Sequence, residues 1–427
     1  MEKAYETYKE TKLQWVNKIP DHWVEGKVKY LFDIGRGRVI SQQELNPNGV
    51  YPVYSSQTKN NGCLGYIDTY DFDDDILTWT TDGANAGEVF KRNGKFNCTN
   101  VCGTLKPKKD LNLDYFLYLM KFLTPFYKRP DTNGAKIMNG EMAEIISYLP
   151  PKQEQTQIAA YLDYQTNKID ILISKKETLI QKLQEQRQAI INEAVTKGLN
   201  KNVALKESGI EWLGEIPEHW EVTRIFGLSY LVRGNSSFKK DELLNKGKYV
   251  ALQYGKTYKV NIIDDNYKFY VNDEFYKESQ IINNGDVIII STSETIEDLG
   301  HSVYYDRDEV GLLGGEQMVL KSKRNKINPK YLFYSSKVFL KEIRKNATGV
   351  KVFRFNINDL KNTYIPVPSI IEQELIVKQI ESKSLTTEKV ILDTLTSIQK
   401  LKDYRQSLIS EAVTGKIDVT DWEEPEK

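Results

Sequence analysis

Cysteine, histidine and long apolar runs are what this 427-residue chain has little of: it holds three of each of the first two residues. Cys63, Cys98 and Cys102 are too few to staple a disulfide framework. Cys98 and Cys102 lack a second ligand pair, which argues against a zinc site. His22 and His219 sit inside a repeated motif, so only His301 is left over and histidine-based catalysis is poorly supplied. No apolar run approaches the ~18 residues that a membrane span needs, and the N-terminus, Met1-Glu-Lys-Ala-Tyr-Glu, is charged rather than signal-like. Lys plus Arg equals Asp plus Glu at 59 each, so overall charge says nothing about nucleic acid. A soluble, reduced, cytoplasmic protein is expected. The length suggests about three domains' worth of chain at ~150 residues each.

Proline and glycine are missing from two stretches, and there the absence is informative. One opens Pro151-Lys-Gln-Glu154-Gln155 and closes Arg187-Gln-Ala-Ile-Ile-Asn-Glu-Ala-Val-Thr196. The other opens at Pro368 with Glu372-Gln373 and closes Arg405-Gln-Ser-Leu-Ile-Ser-Glu-Ala-Val-Thr414. Each holds 46 residues between a Pro and a Gly, and one offset of 218 maps both ends. Nothing inside breaks a helix, and Pro and Gly bracket both runs, so two equal helices are predicted. At ~1.5 Å per residue each is roughly 70 Å long. Leu162, Ile169, Ile173, Ile180, Leu183, Ile190 and Ala194 recur at helical intervals in the first. Ile380, Ile391, Ile398, Leu401, Leu408 and Ala412 do so in the second, with Lys176 and Thr394 interrupting the heptad-like stripes. Two such rods in one chain bury their stripes on each other, as an internal antiparallel coiled coil.

A second motif is also duplicated. Trp15-Val-Asn-Lys-Ile-Pro-Asp-His-Trp23 returns as Trp212-Leu-Gly-Glu-Ile-Pro-Glu-His-Trp220, at an offset of 197 that also maps Lys9-Glu10 and Arg36-Gly37. The offset grows to 218 by the helices, so the second intervening block carries 21 extra residues. The plan reads as an N-terminal segment with the lead-in motif (1–23), a globular block (24–149), a long helix (150–198), a linker with the second lead-in motif (199–220), a second block (221–366), a second helix (367–415) and a tail (416–427). Both blocks read as strand-rich, with runs such as Val50-Tyr-Pro-Val-Tyr54 and Asp286-Val-Ile-Ile-Ile290 between turn residues. Each turns helical near Tyr115-Phe-Leu-Tyr118 or Tyr331-Leu-Phe-Tyr334, then reaches Asn133-Gly-Ala-Lys136 or Thr348-Gly-Val-Lys351. The fold class expected is α+β, with two mixed α/β blocks separated by the two antiparallel helices. The quasi-two-fold plan places the blocks at opposite ends of the rods. It also places the segment before Trp15 near the segment after Gly415, where the Gly198–Ile210 linker lies in the other half.

Charge is concentrated locally. From Lys321 to Arg354 there are eleven Lys/Arg against one acid, and from Lys106 to Lys136 seven against three. Both windows interleave aromatics, and such a patch suits phosphate contacts on a duplex. Lys136 and Lys351, each after a Gly in the same local frame, are candidate phosphate ligands, as are Arg344, Lys345 and Arg354. Polar loop residues Gln57, Thr58 and Asn60 in one block, with Thr292, Ser293 and Glu294 in the other, are candidates for base contacts. Enzymatic motifs are imitated but incomplete. Pro20-Asp21 with Glu25-Gly-Lys27 resembles a nuclease pattern, yet the second copy, Glu221-Val-Thr-Arg224, lacks the Lys. Gly35-Arg-Gly37 keeps only Arg233-Gly234 in its repeat. Gly255-Lys-Thr257 lacks the Gly that a phosphate loop needs at position 250, and Pro150-Pro151 does not fit the adenine-methylating tetrapeptide.

Two unlike blocks, each introduced by Trp-x-x-x-Ile-Pro-x-His-Trp and followed by a helix running from near Pro-x-x-Glu-Gln to Glu-Ala-Val-Thr, resemble the specificity subunit of Type I restriction-modification enzymes. The resemblance covers about Lys9 to Lys416. It implies that each block is a target recognition domain reading one half of a split double-stranded DNA site. It implies helices that set the separation and dock two methyltransferase subunits, with restriction subunits joining them. S-adenosylmethionine, ATP and magnesium would bind those partner chains, leaving this chain non-catalytic, with no metal site and no membrane contact. Alternatives are a stand-alone nuclease or methyltransferase, which the incomplete motifs disfavour, and a coiled-coil scaffold with two protein-binding modules, which does not account for duplicated basic windows. If the rods are a ruler, adding or removing one helical turn in both changes the tolerated length of the unread spacer. Methylation of a set of spacer-length variants measures this, and an unchanged preference contradicts the ruler.

Overall fold

The computed structural model describes residues 3–13, 15–132, 134–236 and 238–425. It divides into two compact units, Met1–Glu177 with Leu395–Lys427, and Thr178–Thr394. Each long helix therefore contributes to both units.

In the first unit, a four-stranded antiparallel sheet runs in the order Val89–Arg92, Ile76–Thr80, Cys102–Pro107, Phe32–Arg36. A second four-stranded sheet has the order Cys63–Ile67, Tyr51–Tyr54, Lys95–Cys98, Phe72–Asp73, with one parallel pair. The helix Leu113–Tyr127 packs its apolar face on the first sheet, burying Phe116, Leu119 and Leu123 beside Phe32, Leu77 and Trp79. Gly103 lies against the Trp79 indole, where any side chain would collide with the ring. The second unit repeats the first sheet as Ser302–Tyr305, Val287–Ile290, Gln317–Ser322, Ser229–Arg233, and adds Ile262–Ile263 at the far edge. Its helix, Pro329–Ile343, is the counterpart of Leu113–Tyr127. Blocks that resist alignment by sequence thus share a strand order. In each unit the block closes with an antiparallel pair, Val24–Lys27 with Ile146–Leu149 and Glu221–Arg224 with Tyr364–Val367.

The two Pro/Gly-free runs are helices over Lys152–Lys197 and Ile370–Val413, 46 and 44 residues long. Gly198 and Gly415 follow them in left-handed conformation, φ +73° and +68°, the geometry that ends a helix without steric cost. Within the first unit the helix segments run antiparallel. Gln157 and Tyr161 lie against Trp422, while Asp170 receives Arg405 at 3.0 Å. Within the second, Arg187 meets Glu388 at 2.9 Å, and Gly198 lies beside Glu372. These two ion pairs map onto each other by the 218 offset. Of the stripe residues, Leu162, Ile169, Ile380, Ile398 and Leu408 are buried, while Ile173, Ile180, Leu183, Ile190, Ile391 and Leu401 are partly buried. Near the end of the first helix the deeper residue is Ile191 rather than Ile190. A true 3.6-residue period drifts from a heptad over this length.

The lead-in motifs dock on the helix starts. Trp23 Nε1 donates to Glu154 Oε1 at 2.8 Å, and His22 Nε2 lies 2.8 Å from Glu154 Oε2. Trp220 Nε1 donates to Glu372 Oε1 at 3.1 Å, with His219 Nε2 3.0 Å from Oε2. The next residue is used twice in each copy. Gln155 accepts from Asn112 N–H at 3.2 Å and donates to Pro150 O at 3.0 Å; Gln373 accepts from Asn328 N–H at 2.7 Å and donates to Pro368 O at 2.9 Å. Asn112 and Asn328 themselves cap the Leu113–Tyr127 and Pro329–Ile343 helices through their side chains.

The two terminal segments meet among the described residues. Asp418 N–H donates to Lys3 O at 2.7 Å, and the Lys3 amine pairs with Asp418 at 3.5 Å. The strand pair Tyr8–Leu13 with Val16–Pro20 repeats as Leu205–Glu207 with Glu215–Pro217, with Lys9 opposite Ile19 and Lys206 opposite Ile216. The expected juxtaposition of the two terminal segments is therefore present in the first unit.

Glu154 is only 6% exposed, so its substitution by Ala leaves the Trp23 N–H buried without an acceptor. A loss of about 2 kcal/mol is expected, read as a lower urea midpoint, whereas Glu154→Gln, which keeps an acceptor, loses less. Equal losses for both variants would show that the indole bond does not matter.

Candidate nucleic-acid interface

In both units the central strand of the first sheet runs on past the sheet and is capped by a hairpin. In the first, Asp82–Gly83 pairs with Gly134–Lys136, which pairs with Arg129–Asp131. In the second, Thr292–Ser293 pairs with Phe353–Arg354, and Arg354 exchanges both backbone hydrogen bonds with Thr348 at 2.9 Å. Ile137 N–H donates to Thr81 O at 2.9 Å and Phe355 N–H to Ser291 O at 3.4 Å, so the hairpins sit in equivalent places. Each is the irregular, surface end of a rigid sheet, the usual position for a recognition loop.

This register corrects one expectation. Lys136 lies opposite Asp82 and Arg354 opposite Thr292, so Lys136 and Arg354 are the matching residues. Lys351 lies three residues earlier, on the second hairpin's tip. The shared Gly-x-Lys frame misleads because the hairpins differ in length: Arg129 faces Lys136 in one, Thr348 faces Arg354 in the other. Asn133 of that frame lies outside the described residues.

The other candidates separate clearly. Lys351 and Arg354 are exposed, and neither forms an ion pair among the described residues. Lys136 is paired with Asp131 at 3.0 Å, and that lysine holds the Asp131 carboxyl below its usual range. Lys345 pairs with Glu342 one turn earlier. Arg344 is half-buried and donates to Leu299 O, a brace inside the block. Burial lowers its pKa. Thr292 and Ser293 are a correction: they lie in a paired strand, 7% and 4% exposed, rather than on a loop tip, and little of either side chain can reach a base. Glu294, next in sequence, is exposed. In the first block, Gln57 is half-buried and donates to Cys63 O across its own loop, while Thr58 and Asn60 are exposed. Asn60 and Asn61 both adopt positive φ, 50° and 53°. The interleaved aromatics Tyr115, Phe116, Tyr331, Phe333 and Phe339 are core residues rather than a stacking surface.

Two arginines escaped sequence reasoning. Arg92, 2% exposed, stacks on Tyr54 at 3.6 Å and donates to Asn61 O at 2.8 Å, holding the 55–62 loop in shape from beneath. Its place in an ordinary strand gives no signal of this. Arg36, at a strand end, donates to Thr81 Oγ1 at 3.2 Å and so reaches the base of the first hairpin. The repeated Arg36-Gly37 and Arg233-Gly234 pairs gave a signal that could have been followed. Their glycines permit close backbone approach, to Cys98 O and Gly314 O respectively. Among the described residues no cluster of three potential metal ligands occurs, and no helix is long and apolar enough to cross a membrane.

Fold and site together define a duplicated protein with a hairpin-tipped recognition block in each half, joined to helical rods. Residues 20–182 and 217–397 match the family described as Type I restriction modification DNA specificity domain, and the chain belongs to that family. A protein of Mycoplasma pneumoniae (strain ATCC 29342 / M129), named as a type I specificity subunit N-terminus, is 46% identical over 139 residues, 32% of this chain and 74% of its own. Other relatives from that organism align over 38% to 58% of their own length. The Type I restriction enzyme MjaVIII specificity subunit of Methanocaldococcus jannaschii is 26% identical and is covered over 94% of both chains. A chain in a solved structure on complex assembly and conformational transition of the type I R-M system shares this fold. Its TM-score is 0.71 at 14% identity, over 94% of this chain and 100% of that one.

One lysine of the second basic window is internal. Lys337 Nζ donates to Asn261 Oδ1 at 3.0 Å and to Ser302 O, and burial, with Arg187 and Arg344 nearby, pushes its pKa down to about 7. Unfolded, the amine keeps its ordinary value near 10.5. Below about 7 both states carry the proton. Between the two values the unfolded chain holds a proton that the folded chain lacks, so stability rises with pH through this window. Wild type is expected to gain on the order of 1 kcal/mol per pH unit from pH 7 to 9 relative to Lys337→Met. Urea unfolding of both at the two pH values measures it, and parallel shifts would show that the amine does not titrate there.

Proposed function

We propose that this chain is the DNA-reading subunit of a Type I restriction-modification complex. Each block contacts one half of an asymmetric, two-part double-stranded DNA site. The observation that carries this is an equivalent hairpin, at the end of the same central strand, in two blocks whose sequences are hard to align with each other. A shared scaffold with unlike tips is what two different readings by one mechanism require. Base edges in the grooves supply sequence discrimination, while phosphate contacts position the protein. Arg354 and Lys351 are the best-placed phosphate ligands. Thr58 and Asn60 remain the best-placed base contacts in the first block.

The long helices hold the two readers at a set spacing and offer docking surfaces to two methyltransferase subunits, with restriction subunits joining that core. S-adenosylmethionine, ATP and magnesium are held by those partner chains, and this chain makes and breaks no bonds itself. Its place of work is the cytoplasm.

Mapping methylated adenines genome-wide, in cells with and without this chain, gives the site. One asymmetric two-part motif disappears with the chain. Replacing block 24–149 by the equivalent block of a relative alters one half of that motif and leaves the other half and the spacer in place. Alteration of both halves, or of neither, would overturn the reading.

A further inference from the structure

The two basic windows look alike in sequence and differ in what neutralises them. In the first, five of the seven cations meet a carboxylate: Lys106 with Asp74, Lys108 with Asp33, Lys121 with Glu88, Arg129 with Glu141 and Lys136 with Asp131, at 2.7 to 3.4 Å. In the second, two of the eleven do so among the described residues, Lys330 with Glu381 and Lys345 with Glu342. Several of the rest donate to backbone carbonyls: Lys321 to Ile281 O, Lys323 to Phe226 O, Arg324 to Asn284 O and Arg344 to Leu299 O. A carbonyl satisfies the N–H but leaves the positive charge in place. The imbalance extends over the blocks, with 15 Lys/Arg against 15 Asp/Glu in 24–149, and 23 against 18 in 221–366.

The hairpin tips follow suit. In the first, Asp131 at the turn takes Lys136, and Glu141 takes Arg129, so both hairpin cations are cancelled. In the second, Gly349 at φ +117° folds the tip so tightly that Val350 is 94% exposed, and Lys351 follows it into solvent. Arg354 is exposed at the hairpin's base, and no carboxylate meets either cation among the described residues.

From these observations we infer a division of labour, which rests on the DNA-binding reading above. The second block is the electrostatic anchor that captures the phosphodiester backbone of any duplex. The first block, neutral through its own ion pairs, contributes little to non-specific attraction and engages through base contacts once the duplex is held. Counterion release makes the anchor's share visible, because each phosphate contact adds about 0.9 to the slope of log K against log salt. Unscreened surface charge also raises the encounter rate.

The test uses the full chain and a 40-bp duplex of unrelated sequence, titrated from about 50 to 200 mM salt, the span over which phosphate contacts show most. K351A/R354A is expected to flatten the slope by about 2, and R129A/K136A by less than half as much. K351R/R354K, which keeps both charges, retains the wild-type slope and separates charge loss from misfolding. Equal flattening by the two alanine pairs, a larger effect in the first block, or loss of slope in K351R/R354K overturns the division of labour while leaving DNA binding intact. Failure of the wild-type chain to bind the duplex at 50 mM salt overturns the DNA reading, and this inference with it.

Discussion

A carboxylate at the start of each rod, buried at Glu154 and partly buried at Glu372, holds the structure together. Glu154 receives the Trp23 indole, the His22 ring and the Tyr5 hydroxyl in one place, and Glu372 receives Trp220 and His219 in the other. A carboxylate in the first turn of a helix is favoured by the helix dipole. Taken out of water, however, it must be fully met by donors, since removing one partner from a buried charge is costly. The adjacent Gln155 or Gln373 bonds the cap of the block's own helix. Glu-Gln therefore joins lead-in strand, rod and block through consecutive side chains. Against each Trp lies the glycine that ends the opposing rod, Gly415 against Trp23 and Gly198 against Trp220. Both rods meet at each joint.

With the joint fixed by side chains outside the sheets, the blocks are free to differ. Of the 21 extra residues in the second half, nineteen fall between the lead-in motif and the block's helix, as the capping residues Asn112 and Asn328 show. The remaining two are the net of three gained between that helix and the hairpin, where the turn Arg344–Asn346 follows the second helix, and one lost within the shorter second hairpin. None falls in the joint. Part of the insertion forms the additional edge strand Ile262–Ile263, a position where a sheet accepts length without disturbing its core.

The rods and joints were legible in the sequence because their signals are local. Pro and Gly punctuate the helices, and the Ile-Pro-x-His-Trp and Pro-x-x-Glu-Gln motifs repeat intact. Their mutual contact was not legible, since Trp23 and Glu154 lie far apart in the chain. The same limit applied to the candidate interface. Counting cations in a window cannot show that Asp74, Asp33 and Glu88, all from outside it, cancel Lys106, Lys108 and Lys121. Nor can it show that Lys323 and Arg324 are spent on carbonyls. Thr292 and Ser293 were misplaced for a related reason: a polar pair after an apolar run reads as a loop, but pairing with Phe353–Arg354 extends the strand through it. The Gly-x-Lys frame failed because hairpin register depends on loop length, which differs between the copies.

A chain of zero net charge bears on how a polyanion is held. Spread evenly, balanced charges give a weak field beyond about 8 Å at physiological salt. Separated, as here, they let one block carry the attraction. Once that block is bound, the other meets DNA at the high local concentration set by their connection, so it needs no electrostatic pull of its own. Its contacts can then be weak and selective. Had both blocks been strongly cationic, non-specific affinity would rise with each, and the gap between right and wrong sequences would narrow in relative terms. Neutralising the first block's cations with its own carboxylates, rather than omitting them, keeps side chains such as Arg129 and Lys136 on the surface. There a phosphate can compete for them only when the rest of the surface fits.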